Sequence, residues 1–232
     1  MFFFDPLYLI FMIPAFILMG ITSWYVRHAY NKWSRIRASS GLTGYQAAQR
    51  LLSTGSLYGV QVQETRGELS DHYDPRNKTL FLSNGVANSP SVASVAIAAH
   101  ELGHAMQDAE EYLPLKFRSA IVPMVSIGSN LGWILILAGL LLGFTQLAWL
   151  GVLFFAGGAA FALATLPVEF NASARAKQLL LQTGIIQTDE EMRGVNQVLN
   201  AAALTYVAGL VTAILQLLYY VMLVSGGGRR ND

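Results

Sequence analysis

The stretch SAIVPMVSIGSNLGWILILAGLLLGFTQLAWLGVLFFAGGAAFALATLPV, residues 119–168, contains no charged side chain. Each residue of a helix adds about 1.5 Å, so about 20 apolar residues cross a hydrocarbon core of about 30 Å. The stretch is therefore long enough to cross a membrane twice, and GFTQ at 143–146 is the best place for the turn. We predict two transmembrane helices here.

Two further uncharged runs lie near the ends of the chain, at residues 7–26 and 194–228, and the second spans as about 202–224. The whole chain of 232 residues is 53% hydrophobic and only 12% charged, whereas soluble domains carry roughly 25% charged residues. The first run could instead be a cleaved signal peptide. It is longer than a usual signal core, follows no basic segment and has no small-residue cleavage site, which favours a retained anchor. The chain is thus predicted to be a mainly α integral membrane protein with about four transmembrane helices.

The basic residues predict the orientation of these helices, because cytoplasmic loops are enriched in Lys and Arg. They follow the first span, precede the second and separate the third from the fourth, at Arg27, Lys32, Arg35, Arg37, Lys116, Arg118, Arg175, Lys177 and Arg193. These segments are therefore expected in the cytoplasm of a cell with both termini outside, although Arg229 and Arg230 point the other way. A net charge of +1 gives no case for a nucleic-acid partner.

The ends of the apolar runs and their charged flanks divide the chain into five segments. We expect an anchor with its basic flank at 1–37, a small α+β domain at 38–117, two transmembrane helices at 118–168, a cytoplasmic helical segment at 169–200, and a final transmembrane helix and tail at 201–232. The α+β domain is small for an independent core and should pack against membrane helices.

Local patterns predict the elements inside these segments. A capping box at Thr43 and Gln46 opens a helix, and strands are expected at 59–64 and 79–82, the second after a Pro/Asn turn. Ser89 and Pro90 are expected to open a helix that continues to about residue 108. The segment 169–200 should break at Gly184 and restart at Thr188, where Glu191 completes a second capping box.

The sequence AIAAHELGHAMQ, residues 96–107, places two histidines four positions apart with a glutamate after the first. On a helix His100 and His104 share one face, so their rings can bind one metal ion. Glu101 would then lie beside the open metal position, where it can accept a proton from a water molecule. The alternative is a pair of hydrogen-bonded core histidines, but burying this trio unpaired would cost several kcal/mol. Gly103 fits a close backbone approach by a neighbour or substrate.

A catalytic zinc usually has three protein ligands, so the motif needs one more. Glu169 is the first charge after the double span, and two crossings return it to the face of the membrane where His104 lies. A carboxylate at that depth costs free energy unless it is paired, for example with a metal ion. The alternative is a simple carboxylate at a helix N-terminus, favoured there by the helix dipole. His28 is expected at the membrane interface, and His72 lies in a strand or turn.

These residues resemble the YugP-type membrane zinc metallopeptidases of bacteria and, more distantly, the heat-shock and CAAX-prenyl membrane metalloproteases. The resemblance covers most of the chain and rests on DHYDP, LFLS, AAHELGHAMQ and LPVEFNASARA. It implies a zincin-like domain, one zinc ion on His100, His104 and Glu169, and a polypeptide substrate. The distant relatives have Asp at position 173, where this chain has Ser; that Asp orients the metal histidines, and Asn171 or Asp108 are candidate replacements.

The resemblance also suggests a role for His72. In such enzymes the strand after DHYDP would edge the cleft and pair with an extended substrate, so His72 could donate a hydrogen bond to the oxyanion. The alternative is a turn histidine that caps backbone groups. Tyr73 and Arg175 are weaker candidates near the site, and Arg175 is more readily explained as an anchor for lipid headgroups.

The main hypothesis is therefore a membrane-embedded zinc endopeptidase with Glu101 as general base and its site at the cytoplasmic membrane surface. One rival is a non-catalytic membrane scaffold whose zinc is structural, and a fourth protein ligand such as His72 would favour it. The other is a small transporter, but the spans 119–166 and 202–224 contain none of the ionisable groups that transport sites use.

Overall fold

The computed structural model describes residues 5–54, 57 and 59–228, so Arg229 and Arg230 lie outside it. The protein is mainly helical, as expected, with four helices that are long and apolar enough to cross a membrane. The helices are α1 (Pro6–Trp33), α2 (Gly44–Thr54), α3 (Asn84–Ala87), α4 (Val92–Ala109), α5 (Leu113–Leu142), α6 (Thr145–Gln182) and α7 (Asp189–Gly228), and the strands are β1 (Gln61–Thr65), β2 (His72–Asp74) and β3 (Thr79–Ser83).

The chain forms two compact units. The bundle unit comprises Met1–Thr22, Phe117–Leu166 and Thr205–Asp232, and the sheet unit comprises Ser23–Lys116 and Pro167–Leu204. Four helices, α1, α5, α6 and α7, contribute residues to both units. The small domain predicted at 38–117 therefore shares its unit with the end of α6 and the start of α7.

Small residues join α5 to α6 in the bundle unit. The predicted turn is confirmed: α5 ends at Leu142, and Gly143 adopts a φ of 71°, which a side chain would disfavour. A Cβ at Gly132 would lie 2.8 Å from the carbonyl oxygen of Gly151. A Cβ at Gly139 would collide with the backbone of Ala148. The two helices therefore pack backbone to backbone, as helices in membranes commonly do.

The sheet unit contains a three-stranded sheet in the order β1-β3-β2. β1 runs parallel to β3, whereas β2 is antiparallel to it, with His72 opposite Phe81. Leu80 and Leu82 of β3 are fully buried and belong to the core that the helices of this unit complete. The expectation that the strand at 79–82 lies at an edge is therefore wrong, since β1 and β2 occupy both of its sides. The strand β2, which lies at one edge of the sheet, was not predicted from the sequence.

Two other boundaries differ from the predictions. The helix α4 begins at Val92 and is capped by Ser91, whose side chain accepts a hydrogen bond from the amide of Ser94. Ser89 and Pro90 precede this cap; the carbonyl of Pro90 instead accepts from the amide of Ala38. The helix α6 runs through residue 169 without a break, so no separate helical segment begins there.

The two capping boxes are confirmed. The side chains of Thr43 and Gln46 each bond the other residue's amide at the start of α2. Thr188 and Glu191 do the same at the start of α7. Between α6 and α7, Gly184 has a φ of 64°, which allows the predicted break.

Candidate metal centre

The helix α4 carries both histidines of the HExxH motif on one face. The rings of His100 and His104 lie 4.9 Å apart between centroids and nearly perpendicular. An alanine-rich surface surrounds them, and most of α4 is fully buried within the sheet unit. Both rings keep some solvent access, so a ligand from solution can reach them.

Gly103 allows the backbone of α6 to lie against this face. A Cβ at position 103 would be 2.5 Å from the carbonyl oxygen of Ala172 and 3.0 Å from its Cα. Contacts this close involve backbone that cannot move cheaply, so position 103 requires glycine. The close approach expected from the sequence is confirmed, and the neighbour is the C-terminal part of α6, which carries Glu169.

Glu169 reaches both histidines from α6. Its Oε2 atom lies 3.3 Å from Nε2 of His100 and 3.6 Å from Nε2 of His104. The side chain of Glu169 is buried, with only 3% of its surface exposed. The structure therefore brings together the three residues that the sequence analysis named as metal ligands.

The geometry of this group fits zinc. Zinc bonds to nitrogen and oxygen of about 2.0–2.1 Å place tetrahedral ligand atoms about 3.3–3.4 Å apart, close to the two distances measured. All three ligand atoms lie within 4.8 Å of one another, and within the described residues no further His, Cys, Asp or Glu belongs to the group. Three protein ligands would leave one position of a tetrahedral zinc open, as in catalytic sites.

The electrostatics of the group also favour a cation. Burial lowers the pKa of His104, but its hydrogen bond to Glu169 and the negative charges of Glu101 and Glu169 outweigh burial and raise the pKa above its usual value. Two carboxylates thus stabilise positive charge at the imidazole face. A divalent cation would meet the same field.

The other ring nitrogen of each histidine has a neutral partner. Nδ1 of His100 lies 3.2 Å from Oγ of Ser173, and Nδ1 of His104 lies 3.0 Å from Oε1 of Gln107. Ser173 thus contacts His100, a candidate metal ligand, from the position where the distant relatives have Asp. Neither proposed replacement touches the histidines in this way: Asn171 accepts from Gln107, and Asp108 accepts from the hydroxyl of Tyr73.

Glu101 follows His100 on α4 and is largely buried, with 9% of its surface exposed. Its negative charge repels the carboxylate of Asp71, a residue that was not predicted from the sequence. Burial raises the pKa of Asp71, hydrogen bonds from Ser83 oppose the rise, and Glu101 adds to it. Asp71 accepts from the amide and hydroxyl of Ser83 and so connects the start of β2 to the end of β3.

His72 lies on β2, exposed, and stacks on Phe81 with ring centroids 4.9 Å apart. Its Nδ1 lies 2.9 Å from the carbonyl oxygen of Ser70. Because a carbonyl only accepts, Nδ1 carries the proton in this contact. His72 is not among the three grouped metal ligands. The next residue, Tyr73, donates to Asp108 of α4 at 2.8 Å and holds β2 against that helix.

Arg175 is engaged inside the sheet unit. Its guanidinium makes two bonds of 2.7 Å to the carboxylate of Glu110, and its Nε donates to Asn171. The interpretation of Arg175 as an anchor for lipid headgroups does not account for these contacts.

Gln107 and Ser173 are the residues at the site that sequence reasoning missed. A signal was present for Gln107, since it follows His104 by three positions and therefore shares its helix face. For Ser173 the only signal was its position in the family motif, where the departure from Asp obscured its role.

Comparison with known proteins agrees with this geometry. Residues 8–225 match the family described as "Putative neutral zinc metallopeptidase". The chain is 42% identical over 226 residues to "Putative membrane protease YugP" of Bacillus subtilis (strain 168), covering 96% of this chain and 100% of that protein. No solved structure matches. Because the match covers nearly the whole chain, this protein belongs to the family described as "Putative neutral zinc metallopeptidase".

Proposed function

We propose that this protein is a membrane-embedded endopeptidase that binds one zinc ion per chain through His100, His104 and Glu169. The observation that carries the proposal is the approach of the Glu169 carboxylate to 3.3 and 3.6 Å from the two Nε2 atoms. These distances are close to the edges of a zinc tetrahedron, and three protein ligands would leave its fourth position open. Zinc, when bound, polarises the scissile carbonyl and acidifies a water molecule.

Glu101 is the proposed general base. It takes a proton from the attacking water as the new carbon–oxygen bond forms, then returns the proton to the amide nitrogen as the carbon–nitrogen bond breaks. Its burial beside the two histidines excludes bulk water and keeps its carboxylate within the electrostatic reach of His104. The proposal is tested by hydrolysis of an unfolded polypeptide by the purified protein and by its Glu101→Gln variant; equal rates would overturn it.

The proposed location of the site is the cytoplasmic side of the cell membrane. The segments that carry the site also carry the basic residues that flank the spans, and cytoplasmic segments are enriched in Lys and Arg. Polypeptides that are unfolded or membrane-associated are the expected substrates, since an extended chain can add to the exposed edge of β2. β2 is the favoured edge because Tyr73 fastens it to α4, the helix of the HExxH motif.

The orientation can be measured with single cysteines, because the chain contains none. Phe144→Cys, in the turn between α5 and α6, is expected to react with a membrane-impermeant maleimide in intact cells. Ser53→Cys, exposed on α2, is expected to react only after the cells are permeabilised. The reverse pattern would place the site outside and contradict the proposed location.

We propose that His72 donates a hydrogen bond to the oxyanion. Its contact with the carbonyl oxygen of Ser70 restricts which ring nitrogen can do so. Because Nδ1 donates to Ser70, Nε2 donates only when the ring is doubly protonated. His72→Phe keeps an aromatic stack on Phe81 and removes the donor. This variant is expected to lower kcat by about 10²-fold or more, with zinc content unchanged.

The measurement is kcat of both proteins on the same polypeptide, with metal content determined in parallel. His28→Phe is a matched control, because His28 also stacks on an aromatic ring, that of Trp24 in α1. If kcat of His72→Phe equalled that of the unsubstituted protein, His72 would have only the stacking role.

A further inference from the structure

A chain of hydrogen bonds leads from a surface ion pair to a metal histidine. Arg175 donates from Nε to Oδ1 of Asn171 at 2.7 Å, and the same oxygen accepts from Nε2 of Gln107 at 2.9 Å. Gln107 Nε2 also donates to the carbonyl of Val168 at 2.8 Å. Its Oε1 faces Nδ1 of His104 at 3.0 Å. All of these groups belong to the sheet unit.

The direction of each bond follows from what each group can do. The Arg175 guanidinium only donates, so Asn171 must present its oxygen. Gln107 must then present its amide nitrogen to Asn171 and Val168, which leaves its oxygen for His104. An amide oxygen only accepts, so Nδ1 of His104 carries a proton, and Nε2 is free to bind a cation.

The opposite side of the ring supports the same conclusion. Nε2 of His104 faces a second acceptor, the Glu169 carboxylate at 3.6 Å. A neutral ring cannot donate from both nitrogens. With Gln107 fixing the proton on Nδ1, a neutral His104 has no proton on Nε2 to donate, so this nitrogen presents its lone pair beside the carboxylate, as a metal ligand does.

We infer that Gln107 is the positioning residue of His104 and Ser173 that of His100, and that Arg175 keeps Gln107 in the required amide orientation through Asn171. This inference rests on the proposed zinc site. It assigns neutral partners to both metal histidines in this chain, where an aspartate serves in the distant relatives. Gln107 is fully buried, so no water replaces its oxygen cheaply.

Zinc affinity, measured by competition with a chromogenic chelator on the full-length protein in detergent, tests the inference. Gln107→Met, of similar shape but without an acceptor, is expected to weaken zinc binding about 10–100-fold, as is usual when a partner of a metal histidine is lost. Ser173→Ala is expected to weaken it in the same direction. Arg175→Gln is expected to have a smaller effect, because the Val168 carbonyl still orients Gln107.

Gln197→Met is the matched control. Gln197 also accepts a side-chain hydrogen bond within the sheet unit, from Nε1 of Trp33 at 2.7 Å, without touching the metal group. This variant is expected to bind zinc as tightly as the unsubstituted protein. If Gln107→Met bound zinc as tightly as Gln197→Met, the role of Gln107 would be overturned; the same result for Ser173→Ala or Arg175→Gln would overturn theirs.

The cobalt-loaded protein gives a readout that a packing role would not change. Two exchangeable, paramagnetically shifted proton resonances are expected in its NMR spectrum, one from each Nδ1–H. Gln107→Met should broaden one by faster exchange with water, and Ser173→Ala the other; unchanged resonances would overturn the inference. If Gln107→Met does not fold, Gln107→Asn keeps the amide but shortens its reach to His104 and should broaden the same resonance; an unchanged resonance would overturn the role of Gln107.

The two hypotheses fail differently. If the unsubstituted protein binds neither zinc nor cobalt, the proposed function and the inference are both wrong. If it binds zinc tightly and the Gln107 and Ser173 variants bind equally tightly, the proposed function stands and only the positioning roles are wrong.

Discussion

Replacing Glu101 with Gln is expected to lower kcat for polypeptide hydrolysis about 10²–10⁴-fold while zinc binding is retained. Glutamine has the shape of glutamate but cannot accept a proton from water at neutral pH. Glu101 is not a member of the metal group, so its loss should leave the ligands in place. The measurement is kcat on an unfolded polypeptide, with zinc per chain determined on the same sample.

Glu64→Gln is the control for this substitution. Glu64 lies on β1 and accepts hydrogen bonds from the side-chain amides of Asn84 and Asn88, outside the metal group. Its kcat should equal that of the unsubstituted protein. Hydrolysis by Glu101→Gln at the unsubstituted rate would rule out Glu101 as the base, whatever the zinc content.

Replacing Glu169 with Ala is expected to abolish stoichiometric zinc binding. The variant keeps two imidazoles and loses the only carboxylate in the described metal group. The loss of affinity should exceed the 10–100-fold typical for residues that merely orient a ligand. Metal analysis of the purified protein after dialysis measures it, and activity should fall with zinc content.

Glu190→Ala serves as the control, since Glu190 is exposed in the first turn of α7. It should keep its zinc. If Glu169→Ala also kept one zinc per chain, the third ligand would lie elsewhere, and a structural zinc in a non-catalytic scaffold would become the better explanation.

Hydropathy made the helical membrane class predictable, because apolar stretches of this length and without charges are typical of transmembrane helices. The turn at 143–146 was predictable for a similar reason, since a stretch of that length must reverse once. The grouping of His100, His104 and Glu169 was predictable because the HExxH spacing matches the helix period, and because Glu169 was the first carboxylate to follow the double span.

Tertiary contacts decided what the sequence did not predict. The strand β2 has only three residues, too few for a periodic signal, and it exists because it pairs with β3 and is fastened to α4 by Tyr73. The helix α6 continues through Pro167, where a proline would ordinarily suggest a boundary. The roles proposed for Gln107 and Ser173 depend on which residues of α6 lie against α4, and the glycine at position 103 does not specify those residues.

The division of the metal ligands between α4 and α6 also has a consequence for biosynthesis. During translation, His100 and His104 emerge from the ribosome before either helix of the α5–α6 pair. A nascent chain that ends before α6 lacks Glu169 and Ser173, and so has two metal ligands instead of three. On the proposed mechanism, a newly made protein therefore remains inert until its central hairpin has been synthesised.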